Sequence, residues 1–334
     1  MVNSYEHPLV TFALFAYNQE KYIKAAVLAA LEQDYPSLEI IISDDCSSDN
    51  TFKIIKEIYS SYSGPHKVTI NRNVENMGIA EHVNKIFNIA NGDLIVLAAG
   101  DDISLPTRVS RQAAVFDKKN IMLIHSSVIK INEQGVEIGE WAPPIIEKKI
   151  SNNNIFVELF GYIGATGACN IKLYSDFGPI VFMKAYEDQV LCARASLTKN
   201  SIIYIDQPLV KYRVGSGITT KAQELDISFE EILRNRKLQI EVYVDIYKQR
   251  LLDLEKTSNR KCYSKFKIDL EAKLRLQELR LMLYNEKPLF AKNIFSKDFQ
   301  VASKAFILEC WELTLRLKEK YRRNLHLNRI PRAE

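Results

Sequence analysis

Cysteine is scarce and scattered in this chain. The five residues Cys46, Cys169, Cys192, Cys262 and Cys310 show no C-x-x-C spacing, which excludes a disulfide framework and points to a reducing compartment, the cytoplasm. No G-x-G-x-x-G follows the first apolar run, and neither G-x-x-x-x-G-K-[ST] nor H-E-x-x-H occurs, so dinucleotide, P-loop and zincin chemistries lack their signatures. Apolar runs stay well short of the roughly 20 residues that span a bilayer, which leaves peripheral contact as the membrane option. The run Leu9 to Ala16 is preceded by Glu6 instead of a basic segment, and no small-residue cleavage site follows, so it reads as a buried strand and not as a signal peptide. Excess charge is also small, +4 over 334 residues with the signs mixed, and no nucleic-acid partner is expected from it.

What is present is ordinary globular material, 47% hydrophobic and 26% charged, enough for one large or two medium domains. Three early segments, "LVTFALFAYN" (Leu9 to Asn18), "LEIIISDD" (Leu38 to Asp45) and "DLIVLAAGDD" (Asp93 to Asp102), are apolar at successive positions and then turn abruptly polar. Such runs fit strands covered on both faces of a parallel sheet. Helical patterns separate them: Lys21 to Glu32, with Ile23, Ala26, Val27 and Ala30 on one face, and Asn50 to Tyr59, entered through Ser48 and Asp49. Strand and helix in alternation predict an open α/β sheet whose ligands bind beyond the carboxyl ends of the strands, where Asn18, Asp44, Asp45, Asp101 and Asp102 then converge.

Further on, "IMLIHSSVIKI" predicts a strand, "NEQGVEIGEW" a hairpin around Gly135, and "SIIYIDQPLVKYRV" a strand, a proline turn and a return strand. Beyond about Gly217 the pattern becomes helical, with packing stripes at Ile240, Val244, Tyr247, Leu251 and Leu254, from Leu270 to Leu283, and at Phe306, Cys310, Leu313, Leu317 and Tyr321. Two regions are therefore expected, 1–220 and a helical appendage, 221–334.

Paired carboxylates repel and lose hydration, so Asp101 beside Asp102 suits a cation, a ligand with donors, or open water. Mg²⁺ takes one or two protein carboxylates and completes its shell with phosphate and water, so Asp101 and Asp102 fit half of a metal site. A helix cap before Pro106 accounts for the pair equally simply.

Five ordered motifs, "FAYNQEKYI", "IISDDCSSDNT", "NVENMGIAEHVNKIFNIANGDLIVLAAGDD", "YEDQVLCARA" and "QPLVKYRV", give the chain a wider likeness. It resembles the inverting, nucleotide-sugar-dependent glycosyltransferases of family 2, of the bacterial surface-polysaccharide type, over about residues 8 to 220. The resemblance implies a GT-A fold: α/β, with a mixed, mainly parallel sheet and here a helical C-terminal extension. It implies that Tyr17, Asn18, Glu20, Asp45, Gly78 and Asp101 lie at the nucleotide and that Asp102 holds Mg²⁺ or Mn²⁺ on the diphosphate. Asp188 is then the catalytic base with Glu187 as its companion. Arg213 is a candidate for the diphosphate, or for a surface salt bridge, and Trp141 and Gly164 are candidates for the acceptor.

Many family members follow "YR" with a histidine; Gly215 stands near that place, so no histidine ligand is expected. The Q-x-x-R-W motif of processive synthases is missing, which suits an enzyme adding one or a few sugars. The implied partners are a nucleotide-diphospho-sugar, UDP-linked by preference, and a saccharide acceptor on a lipid carrier. Basic residues crowd the C-terminus: Arg316, Lys318, Lys320, Arg322, Arg323, Arg329 and Arg332. With Phe306, Trp311 and Leu313 they suit either contact with an anionic membrane surface or a solvated helix face. Two rival readings are a sugar-phosphate nucleotidylyltransferase, whose glycine-rich first loop is missing here, and a non-catalytic scaffold acting through the C-terminal helices.

Overall fold

The computed structural model describes residues 7–142, 156–159, 162–198, 201–215, 228–257, 263–285 and 299–327, with side chains as far as residue 315 in the last stretch. Glu6, Gly161, Cys262, the expected boundary at 220/221 and the side chains from Arg316 onward lie outside them.

The chain runs β1 (Val10–Ala16), α1 (Ile23–Leu31), β2 (Leu38–Asp44), α2 (Thr51–Ser61), β3 (Lys67–Arg72), α3 (Gly78–Ile89), β4 (Leu94–Ala99), β5 (Ile103–Ser104), α4 (Arg108–Ala114), β6 (Leu123–Ile131) and β7 (Glu137–Trp141). After a 3-10 turn (Gly164–Thr166) come β8 (Ala168–Asn170), α5 (Lys172–Ser175), α6 (Glu187–Ser196), β9 (Ile202–Arg213), α7 (Phe229–Lys256), α8 (Ser264–Asn285) and α9 (Phe299–Leu327). The strands form one mixed sheet in the order β3-β2-β1-β4-β8-β6-β9-β5, with β7 on the side of β6. β3, β2, β1 and β4 are parallel. β8 runs against both β4 and β6, and β9 runs with β6.

The near-continuous apolar runs are explained by what covers each face. Val10, Phe12, Leu14, Ile40, Ile42, Leu94 and Val96 pack with Ile23, Ala26 and Val27 of α1, Ile55 of α2 and Val109 of α4. The alternate residues Ala13, Ile41, Ile95 and Leu97 pack with Val83, Ile86 and Phe87 of α3 and Leu191 of α6. Residues i and i+1 of a strand enter different cores, so both are mostly apolar, and the polar exceptions Thr11 and Glu39 are hydrogen-bonded to each other.

Two expectations are corrected. β9 is one strand and not a strand pair: it stays parallel to β6 along its length, with the register slipping where Ser126 to Val128 face Ile205 to Val210. Pro208 cannot donate to a ladder and sits in this irregular stretch, where it interrupts pairing without reversing the chain. On α9 the packing face is Ala302, Ala305 and Glu309, while Phe306 and Cys310 are exposed. Small alanines let α9 approach α8 closely, and Glu309 is buried because Arg236 of α7 and Arg280 of α8 both pair with it, at 2.9 and 2.7 Å.

α7 starts at Ser228, whose Oγ accepts the Glu231 N–H at 3.1 Å, with Glu230 and Glu231 in the first turn. Its far half is set into the α/β body. The buried pair Arg194–Asp253 (2.8 Å) joins α6 to α7, and Ile246 packs with Ala80 of α3 and Val190 of α6.

Candidate active site

The strand register brings the first three polar ends level. Ala16 lies opposite Asp44, and Phe15 opposite Ala99, so the loops after β1, β2 and β4 share one edge of the sheet. The loop after β1 is bound to the loop after β2. Asn18, in the left-handed region at φ 51°, donates its N–H to Ser47 Oγ (2.9 Å) and accepts from the Ser48 N–H (2.8 Å). Glu20 accepts from the Asn50 N–H and Nδ2, while its own N–H reaches Asp49. Tyr17 stands exposed at the mouth. Asp44 is fully buried beneath, bonded to Ser47 and paired with Arg72 at 3.4 Å.

Asp45 anchors the next loop: it accepts from Asn73 Nδ2 (2.7 Å), the Met77 N–H (3.0 Å) and the Gly78 N–H (3.0 Å). Gly78 has φ +76° and opens α3, a conformation in which a Cβ is strained even though nothing lies within 4 Å of it. Beneath Asp45, His82 is buried, with Nε2 2.6 Å from Ser43 Oγ; burial lowers its pKa to about 4 and so keeps it neutral.

Asp101 and Asp102 are both buried, at 8% and 5% exposure. One Asp102 oxygen accepts the Arg213 N–H at 2.8 Å; the other, Oδ2, is buried with no hydrogen-bond partner among the described residues. Burial first, and then the charge of Asp101, push the Asp102 carboxyl well above the ordinary range, against the pull of Arg108 and Arg213. A buried carboxylate oxygen without a hydrogen-bond donor is a natural seat for a cation. Among the described residues no three His, Cys, Asp or Glu side chains cluster as a ligand set, so a cation here would draw the rest of its shell from phosphate and water. The residues fit Mg²⁺ or Mn²⁺ on those terms.

Arg213 is buried, not part of a surface salt bridge. Its Nε donates to the Asp101 carbonyl (2.9 Å), Nη1 to the carbonyls of Asn132 (2.7 Å) and Glu133 (2.9 Å), and the guanidinium stacks on Tyr22 at 4.4 Å. It knits the acid pair to the hairpin after β6, and these donors are already engaged. Trp141 ends the exposed β7 opposite Val128, three residues back from Ile131, where β6 meets Arg213.

Glu187 and Asp188 occupy the first turn of α6. A Cβ on Gly164 would stand 2.6 Å from Glu187 Oε1 and 3.6 Å from the Asp188 Cβ, so the turn before β8 lies directly against these acids. Asp188 accepts the Gln189 N–H at 2.6 Å. Burial, and next the neighbouring Glu187, push the Asp188 carboxyl up to about 8, opposed by the charge of Arg250.

The two acid groups share one electrostatic neighbourhood. Burial, then Asp102, Asp101 and Asp188, push the Tyr212 phenol up to about 12, so all three carboxylates bear on one side chain. Tyr162 feels Asp188 and Glu187 and is itself felt by the buried Arg108, which also feels Asp102. Tyr212 lies in the motif "QPLVKYRV" without a role assigned to it, and Tyr162 lies in none of the five motifs. Arg108 and Arg250, both fully buried, carried no signal, since arginine is read as a surface residue.

The sequence pattern of the family described as Glycosyl transferase family 2 matches residues 11–178. The chain belongs to glycosyl transferase family 2. This family member is 28% identical over 148 residues to the Escherichia coli protein WfgD, named a UDP-Glc:alpha-D-GlcNAc-diphosphoundecaprenol beta-1,3-glucosyltransferase; the match covers 44% of this chain and 54% of that protein. It spans about half the length of the curated relatives it matches. Among solved structures it is similar to S. aureus TarS 1–349 in complex with UDP, with TM-score 0.55 and 17% identity over 89% of this chain and 90% of that one. It is also similar to the mannosyltransferase PcManGT of Pyrobaculum calidifontis in complex with GDP-Man and Mn2+, with TM-score 0.52 and 14% identity over 92% and 88% of the two chains. The architecture of this family 2 member is thus the expected α/β GT-A-like one, a mixed, mainly parallel sheet with a helical C-terminal region.

Proposed function

We propose that this chain moves a sugar from a nucleotide-diphospho-sugar to a hydroxyl of a saccharide acceptor with inversion at the transferred carbon. One observation carries the reading: Asp102, with a buried oxygen unpartnered among the described residues, and Asp188, raised toward neutrality at the start of α6, both bear electrostatically on Tyr212. Asp188 takes the proton of the attacking hydroxyl as its oxygen bonds to the sugar carbon. The bond from that carbon to the phosphate oxygen breaks, and its electron pair leaves with the nucleoside diphosphate. Glu187 keeps the neighbouring acid basic enough to accept the proton. Asp102, with Asp101 beside it, would hold the divalent cation, which would supply neutralisation of the departing diphosphate. Tyr17, Asn18, Glu20, Asp45 and Gly78 shape the nucleotide end, Gly164, lacking a side chain, lets Glu187 pack beside Asp188 at the acceptor end, and Arg213 holds the acid pair in place.

A UDP-sugar donor and a diphospholipid-linked acceptor are favoured, because relatives are named for UDP-Glc and diphosphoundecaprenol or solved with UDP. Asp188→Asn is expected to lower turnover by about 10²–10⁴-fold with nucleoside diphosphate binding retained. Asp102→Asn is expected to remove the Mn²⁺-dependent part of that binding. Calorimetry with UDP, with and without Mn²⁺, alongside a transfer assay checks both; unchanged turnover in the first variant rejects the assigned base, and unchanged cation dependence in the second rejects the cation seat.

A peripheral membrane site at the cytoplasmic face is favoured by α9. Ile307, Trp311 and Leu315 are exposed at one-turn spacing, and no described helix is long and apolar enough to cross a membrane. Over 315–334 seven Lys or Arg stand against two Glu. Sedimentation with anionic but not zwitterionic vesicles, weakening with salt, is the expected result.

A further inference from the structure

The helical region contributes a residue to the chemistry. Building on Asp188 as the base, we propose that Arg250 of α7 is a positioning residue for transfer: its buried guanidinium clamps the first turn of α6 and faces Asp188 as counter-charge.

The geometry is that of a built clamp. Arg250 is fully buried, Nη1 donates to the carbonyls of Phe156 (3.0 Å) and Glu158 (2.7 Å), and Nη2 reaches both the carbonyl and the Oε1 of Gln189 at 3.3 Å. Gln189 is the residue after Asp188, so the fork grips the backbone next to the base. The same helix holds the segment leading into α6. Asp245 accepts the Lys184 N–H (3.1 Å), Gln249 accepts the Val181 N–H (2.7 Å), and Asp253 takes Arg194 of α6. These acceptors and Arg250 lie about one turn apart, on the face of α7 turned to α6.

The electrostatics give the clamp a purpose. Asp188 is faced by Glu187 from its own turn, by Tyr162 before β8, by Tyr186 ahead of α6, by Cys192 within α6 and by Tyr212 of β9. None of these is a cation. Arg250 supplies positive charge that favours the carboxylate over the acid, which is the form that accepts a proton. Its Nε has no hydrogen-bond partner among the described residues, so the guanidinium is held there at some cost in unmade hydrogen bonds.

The test is the pH profile of turnover at saturating UDP-sugar and acceptor, for Arg250→Gln, Arg250→Met and Arg250→Lys in the full chain. Without the charge, in Gln and in Met, the acid limb is expected to move up by about one pH unit, with turnover at pH 7 falling about tenfold and UDP affinity unchanged. Lys keeps a cation without the fork and is expected to recover most of that displacement. A purely structural role would instead lower turnover equally at every pH and leave the limb in place, and that result in any folded neutral variant overturns the proposal. Failure of the underlying reading is separable: Asp188→Asn that still turns over removes the base, whereas an inactive Asp188→Asn with an unmoved limb in Arg250→Gln removes only the role of Arg250.

Discussion

At the scale of single residues, the acids set the pH behaviour. Asp188 has its folded pKa raised from the ordinary 3.8 to about 8, because burial and Glu187 disfavour its charge. A group raised in this way adds stability that is fully present below its unfolded pKa and is lost as pH rises through its folded value, here from about 4 to about 8. Turnover moves in the opposite direction, since only the ionised base accepts a proton. The chain is therefore expected to become more active and less stable over the same interval. Asp188→Asn removes the titration while keeping an oxygen to accept the Gln189 N–H, so the inactive variant should exceed the parent by several kcal/mol at pH 8 and lose that margin toward pH 4. Urea unfolding at three pH values measures the gap; a margin that does not depend on pH contradicts the buried-charge account. Asp45, Asp101 and Asp102 were legible in the sequence because each follows an apolar run, whereas Glu187 and Asp188 open a helix and gained a role only through the resemblance to the family. Tyr212, Tyr162, Arg108 and Arg250 were not, because what they do depends on which acids they face, and that is set by β9 and α7 folding back over the sheet.

At the scale of elements, the loop from Asn73 to Gly78 is a short device with one free choice. Asp45 takes three donors from it, and the loop closes only if Gly78 enters α3 at positive φ. With open space around the missing Cβ, Gly78→Ala costs backbone strain alone, about 1 kcal/mol, whereas Gly78→Asn costs less because Asn enters this region readily. The expected outcome is a raised KM for the donor in the Ala variant, with turnover at saturation kept, and a smaller effect in the Asn variant. Steady-state kinetics at varied donor checks it, and equal effects in the two variants exclude a backbone cause. Elements were readable in proportion to how completely they are buried. β1, β2 and β4 are covered on both faces and stand out as apolar runs, while β3 lies at the edge, only half shielded, and its "KVTINR" left no such run. Pro208 suggested a chain reversal and marks a slipped register. On α9 the large side chains suggested the packing face, but the face is made by small alanines and one paired acid.

At the scale of the whole molecule, two buried ionic contacts hold the helical region, one to the sheet domain and one among the helices themselves, and they differ in what depends on them. Arg194–Asp253 is fully buried, and Arg194 also donates to the carbonyls of Leu173 and Gly178, so this pair ties α7 to the segment that delivers Glu187 and Asp188. The second pair, Glu309 between Arg236 and Arg280, joins α9 to α7 and α8 and has no contact with that segment among the described residues. Removing one partner of a buried pair leaves an uncompensated charge, at a cost of about 3–5 kcal/mol. Asp253→Ala and Glu309→Ala should therefore destabilise to a similar degree with different functional results. Asp253→Ala is expected to lower turnover on a water-soluble acceptor, because α6, which carries Asp188 in its first turn, loses the anchor of its last turn. Glu309→Ala is expected to keep that turnover and to free α9, seen as faster amide exchange across 301–315. The helices would then divide into an inner one that completes the active site and an outer one that does not. Equal turnover losses in the two variants would mean instead that the helical region works as a single cooperative block, with α9 coupled to Asp188 through α8 and α7.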